Sequence, residues 1–131
     1  MVNQLQLIDP QMLRSHEKTN VFRAVWLLAK ILKQGTFIEP ILVDTESMTI
    51  LDGHHRHLIA KILRFKKVPC WCIHYLGNES VTVISRRQEI AVDKQSVIDR
   101  AKSGDLYPHK TTRHIYQAPK AKTFQLQQLI D

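Results

Sequence analysis

The chain is short of the residues that mark specialised classes. Its two cysteines, Cys70 and Cys72, are too few for a disulfide scaffold, and no second pair exists to complete a zinc site. In Pro69-Cys70-Trp71-Cys72-Ile73 they alternate with large apolar residues, so on a strand both would point to one face, where positions i and i+2 make poor disulfide partners. They read as reduced core thiols of a cytoplasmic protein, with zinc ligation the minor alternative. Four glycines and five prolines exclude a collagen-like or low-complexity chain. The longest apolar run, from Ala24 to Leu32, is broken by Lys30 and is too short to span a bilayer. Met1-Val2-Asn3-Gln4 has neither the basic nor the apolar region of a secretory leader, so none is expected. Acidic residues are also scarce, 12 against 19 lysines and arginines, and the resulting charge of +7 favours polyanionic partners. That bias does not separate nucleotide phosphates from a nucleic-acid backbone. A length of 131 residues suits one domain, 1–131, with residues 116–131 as a loosely docked tail.

What is present is an alternation of strand and helix signals. Leu5-Gln6-Leu7-Ile8 reads as a short strand stopped at Asp9-Pro10. Asn20 is placed to cap a helix over 21–34, with Phe22, Val25, Trp26, Ala29, Ile31 and Leu32 as its apolar face and Gly35 as its stop. Ile41-Leu42-Val43 reads as a buried strand, and residues 48–51 as the second arm of a hairpin. A helix is predicted from the following glycine to about Phe65, with Lys61, Arg64, Lys66 and Lys67 at its end. Further strands are expected at 68–75 and 81–84, and a helix at 94–103 stopped by Gly104. Trp26 and Trp71 occupy apolar positions and are expected in the core. Ala118-Pro119-Lys120-Ala121-Lys122 has the make-up of a linker, and Phe124, Leu126, Leu129 and Ile130 form a tail that must dock to be ordered. The class expected is α+β, a small mixed sheet flanked by helices.

The chemistry concentrates in two places. At Thr49-Ile50-Leu51-Asp52-Gly53-His54-His55-Arg56 the apolar period changes from that of a strand to that of a helix. The first N–H groups of such a helix lack intrahelical partners and carry the positive end of the macrodipole, a seat for phosphate or carboxylate. Gly53 allows close approach to the backbone, and Asp52 can cap the helix or hold a cation. His54, His55 and Arg56 are all expected in or around that mouth, and gathering three potential cations against the dipole argues for a bound anion. An aspartate cap followed by a solvated turn is the alternative. The second place is Pro108-His109-Lys110-Thr111-Thr112-Arg113-His114, where Lys110, Thr111, Thr112, Arg113 and His114 form a donor-rich loop suited to phosphate. A basic surface loop would have the same composition. Arg86-Arg87, at a strand end, reads more readily as surface charge. A single aspartate beside histidines does not make a two-metal nuclease site.

These residues resemble a known family. Pro40-Ile41-Leu42-Val43, then Asp52-Gly53-His54-His55-Arg56 opening a helix, then a strand near Val68, is similar to the ParB/sulfiredoxin-type domain. Within it, the Asp-Gly-His-His-Arg string together with Lys110-Thr111-Thr112-Arg113-His114 is similar to the free L-serine kinases, which phosphorylate the amino acid using ADP or ATP. The resemblance covers most of residues 5–115. Sulfiredoxins place a cysteine at the corresponding turn and partition proteins a Gly-Glu-Arg-Arg string with a helix-turn-helix domain to follow; neither is found here. The resemblance implies that Glu17 acts on the substrate hydroxyl as general base and that Asp52 assists or holds Mg²⁺. It also implies that Gly53, His54, His55 and Arg56 bind phosphate at the helix start, with Lys110 to His114 forming a second phosphate loop. Position 109 is histidine where the family pattern has a second proline. The function implied is transfer of a phosphoryl group from ADP or ATP to free L-serine, and the alternative is a regulatory DNA- or nucleotide-binding module of ParB type.

Overall fold

The computed structural model describes residues 4–119 and 123–131; Lys120, Ala121 and Lys122, in the stretch expected to be a linker, lie outside the described residues, as do Met1, Val2 and Asn3. Its centre is β5 (Val68–Ile73), every residue of which is buried. β1 (Gln4–Ile8) lies antiparallel on one side of it, β3 (Ile41–Asp44) parallel on the other, and β4 (Ile50–Asp52) antiparallel to β3. Being covered on both faces explains why β5 and β3 read as unbroken apolar runs rather than as an alternation. Pro69 is tolerated because it lies at the start of β5, before the ladder with β3 begins at Cys70.

The pleat sorts β5 between two cores. Cys70 and Cys72 face one with Val43, Ile50 and Ile59, beneath α1 (Val21–Gln34) and α2 (His54–Ile62). Trp71 and Ile73 face the other with Leu42, Tyr75, Val97 and Ile98, beneath α3 (Lys94–Ser103). Both thiols are free and buried, and burial raises their pKa, so they are packing groups. β6 (Val81–Ser85) does not return to the main sheet. It pairs antiparallel with β7 (Thr112–Tyr116), which brings the second donor-rich stretch onto the same side as the end of β4. β2 (Thr36–Ile38) pairs with β8 (Thr123–Gln125), and the short α4 (Leu126–Ile130) sends Leu129 into the first core. No helix among the described residues is long and apolar enough to cross a membrane.

Two expectations need correction. The inward face of α1 is Ala24 and Ile31 with Leu27 and Leu28; of the stripe expected to be buried only Ile31 turns inward and the rest points outward, Phe22 being 82% and Trp26 60% exposed. Nearly every position from 21 to 32 is apolar, so helical periodicity fits either face and only the sheet beneath selects one. The stretch expected to be a loop at 110–114 is a tight turn followed by strand, because Thr112, Arg113 and His114 pair with Ser85, Ile84 and Val83 of β6.

Candidate functional site

β4 ends and α2 begins at Gly53, whose φ of 106° only glycine adopts without strain. A Cβ there would lie 3.1–3.2 Å from the Arg56 guanidinium, which rests over the turn. Gly53 itself is the cap residue, with no side-chain cap bond, so Asp52 does not cap the helix. Asp52 Oδ2 accepts a 2.8 Å hydrogen bond from the Tyr116 hydroxyl and stands 3.7 Å from Arg56 Nη2. Beside the carboxylate, the Tyr116 phenol is held protonated, burial contributing most. Arg56 Nη1 donates to the carbonyls of Glu39 and Pro40, which fixes the guanidinium across the mouth.

The histidines behave differently from the expectation. His54 is buried, and its Nε2 accepts the backbone N–H of His16 at 3.2 Å; His55 Nε2 accepts that of Asn20 at 2.9 Å. An imidazole nitrogen accepting an N–H is unprotonated, and burial lowers the pKa of both rings. They fasten the segment before α1 to the helix start. Of the three potential cations at this terminus, only Arg56 is charged, which removes most of the conflict with the dipole that suggested an anion. His114 is likewise neutral: burial pushes it down to about 3, His16 adds to this and the Leu51 carbonyl opposes it, while Nε2 lies 2.7 Å from the Tyr75 hydroxyl.

Glu17 links the two corners. Its carboxylate accepts the N–H groups of Lys110 (3.2 Å), Thr111 (3.2 Å) and Thr112 (2.8 Å) and the Thr112 hydroxyl (2.8 Å). The turn can present three N–H groups in one direction because Lys110 is left-handed, φ 58°. Glu17 is brought there by a bridge to Tyr107, with Tyr107 N donating to the His16 carbonyl and Lys18 N to that of Tyr107. Thr111 departs from the expected phosphate-binding set: it is wholly buried, and its hydroxyl donates to the Pro108 carbonyl at 2.6 Å.

A cleft of about 1030 Å³ joins these parts. Asp52, Gly53, His54, His55 and Arg56 line it together with Lys110, Thr112, Arg113, His114 and Glu17, so stretches more than fifty residues apart share one wall. α1 supplies the opposite side through Arg23, Trp26, Leu27, Lys30, Ile31 and Gln34, and Arg86 completes the rim. Six lysines and arginines face three carboxylates, and among the described residues Arg23, Lys30, Arg86, Lys110 and Arg113 make no ion pair. The cleft is therefore strongly positive. Arg23, Trp26 and Lys30 carry no mark of the cleft in the sequence, although their spacing is a helical stripe, because the apolar pattern of α1 fits either face. His16, an isolated histidine in the sequence and so more readily structural than a ligand, is fully buried behind Glu17, and Arg86, expected as surface charge, lines the cleft. Among the described residues no group of three or more His, Cys, Asp or Glu could hold a metal by itself.

No protein-family model matches the chain. In sequence it is similar to a ParB-like protein of Sulfolobus acidocaldarius, 38% identical over 90 residues, which is 69% of this chain and 44% of that protein. It is also similar to an ATP-dependent L-serine kinase of Desulfurococcus mucosus, 34% identical over 77 residues, 56% of this chain and 30% of the kinase. The chain thus spans less than half the length of the curated relatives it matches. Among solved structures it superposes on a free serine kinase in complex with AMP with a TM-score of 0.86 at 16% identity, covering 95% of this chain and 93% of that one. A variant of a free serine kinase in complex with ADP gives 0.82 at 14% identity, with coverages of 98% and 95%. The chain has the ParB/sulfiredoxin-like α+β fold, shared with the free serine kinase structures.

Proposed function

We propose that the chain is a nucleotide-dependent kinase that transfers a phosphoryl group from ADP or ATP to the hydroxyl of free L-serine, giving O-phospho-L-serine. One juxtaposition carries this reading: the start of α2 and the residues 110–114, remote in sequence, open on the same positive cleft as Glu17. The relatives named as serine kinases, and the AMP and ADP complexes of the structural neighbours, support it.

Phosphoryl transfer asks for positioning and charge neutralisation rather than covalent chemistry. In this reading the N–H groups beyond Gly53, with Lys110 and Arg113, grip the nucleotide phosphates, and Arg56 holds the shape of the turn. Glu17, anchored by the turn at 110–112, takes the proton from the serine hydroxyl. Asp52 fits Mg²⁺ in the way this ion is commonly held, through one carboxylate with phosphate oxygens and water: Tyr116 engages only Oδ2, and the side chain is half exposed. When bound, the ion neutralises charge on the phosphates. Purified protein incubated with serine, Mg²⁺ and either nucleotide is expected to yield phosphoserine by mass spectrometry. No product with either donor from folded protein refutes the proposal.

The second reading, a ParB-type DNA-binding module, is favoured by the ParB-like relative and the charge of +7. It requires duplex binding that weakens steeply with salt. Undetectable binding at low salt removes it.

A further inference from the structure

Behind Glu17 the hydrogen-bond count does not close. Thr112 Oγ1 lies 2.8 Å from Glu17 Oε1 and 2.9 Å from His16 Nε2, yet a hydroxyl has one proton to give. His16 Nδ1 lies 2.7 Å from the Ile50 carbonyl oxygen, which only accepts, so the ring proton sits on Nδ1. His16 is 0% exposed, and burial holds its pKa at about 4 against the opposing Ile50 carbonyl, so Nε2 is a bare acceptor at neutral pH. The rings around it add no charge: His54 at 4.5 Å and His114 at 5.8 Å are both neutral, and Tyr107 lies at 6.4 Å. Two acceptors therefore compete for the single Thr112 proton. An ionised carboxylate is the stronger, charge-assisted bonds being about twice as strong as neutral ones.

We propose that His16 is a positioning residue for the phosphoryl transfer, acting on Glu17 through the Thr112 hydroxyl, which donates to Glu17 while that carboxylate is ionised and turns to His16 Nε2 once Glu17 is protonated. This rests on the kinase reading. As the serine O–H bond breaks, its proton forms an O–H bond with Glu17. The freed electron pair of the serine oxygen forms the new bond to phosphorus, and the P–O bond to the leaving nucleotide breaks with its electron pair on the nucleotide. Protonation weakens Glu17 as an acceptor, and the hydroxyl then satisfies a buried nitrogen that was unpaired before. The N–H groups of Thr111 and Thr112 hold the carboxyl group in place throughout. His16 thus eases the arrival of the proton on Glu17 without touching the substrate.

The test is the ¹⁵N signal of His16 Nε2, with Glu17→Gln as the neutral mimic of the protonated acid. In Glu17→Gln the signal is expected to move upfield, as it does when an imidazole nitrogen accepts a hydrogen bond. With Thr112→Val added, which keeps the shape and removes the hydroxyl, that movement is expected to vanish. An Nε2 signal identical in the wild type and Glu17→Gln overturns the proposal. In turnover, Thr112→Val is expected to lower kcat roughly tenfold or more, a part of the usual general-base contribution, with the nucleotide KM changed less, and Thr112→Ser to restore most of the loss. Equal rates in the Val and Ser variants also overturn it. If the wild type makes no phosphoserine while the ¹⁵N response appears, the kinase reading fails and the hydroxyl switch stands as a property of the fold.

Discussion

Gly53→Ala should separate two physical costs at the heart of the cleft. The backbone there has φ 106°, and forcing an L-residue into a left-handed conformation costs about 1–2 kcal/mol. The new Cβ would also sit 3.1 Å from Arg56 Nη2 and 3.2 Å from Cζ and Nε, inside ordinary contact distance. Arg56 is not free to yield. Nη1 is tied to the carbonyls of Glu39 and Pro40, and Nη2 lies 3.7 Å from Asp52. Displacing it loosens hydrogen bonds from a charged donor, at about 1.5–3 kcal/mol for one such bond. Together these give a destabilisation of roughly 2.5–5 kcal/mol, read as the change in urea unfolding free energy. In an Arg56→Ala background the obstruction is gone, so only the backbone part of about 1–2 kcal/mol should remain and the cost of Gly53→Ala should fall by more than half. An equal cost in both backgrounds would show that the guanidinium does not crowd Gly53. A Gly53→Ala protein as stable as the parent would refute the left-handed turn itself.

Acid sensitivity should come from the buried histidines. His16 and His114 have folded pKa values of about 4 and about 3, below the 6.5 of the unfolded chain. The unfolded state therefore binds more protons, and stability contributed by these groups is complete above pH 6.5 and lost as pH falls towards their folded values. Each contributes a slope of up to about 1.4 kcal/mol per pH unit in that window, and urea midpoints that stay flat between pH 6.5 and 4.5 would count against neutral burial. Trp26→Ala should change stability by no more than about 0.5 kcal/mol, as for a surface site; a loss of about 3–5 kcal/mol, the cost of removing a core aromatic, would return Trp26 to the interior. Arg113→Met should weaken ADP binding about tenfold or more if the guanidinium makes one charged hydrogen bond to phosphate. Calorimetry that finds the affinity unchanged would remove Arg113 from the site.

Much of the candidate site was legible because local chemistry dictates local geometry. The change of apolar period at Asp52-Gly53 located the strand-to-helix corner, where glycine is required by a φ of 106°. Asn20, Gly35 and Gly104 marked helix ends because each satisfies terminal backbone groups within a few residues. Glu17 was less legible. A glutamate in a polar loop has no local signal, and its partners at 110–112 lie more than ninety residues away. Protonation of the histidines was hidden for the same reason, since their composition suggests charge while their burial and the N–H groups they accept set them neutral.

By itself, then, the sequence determined where the chain turns, caps and alternates, and that two stretches are rich in donors. Those features depend on interactions within one or two turns of backbone. Only the tertiary structure decided which face of α1 is buried, that Glu17 reaches the turn at 110–112, and that both stretches line one cleft. Those outcomes depend on which surfaces the central sheet brings into contact, and an apolar helix or a donor-rich segment carries no local record of its partner.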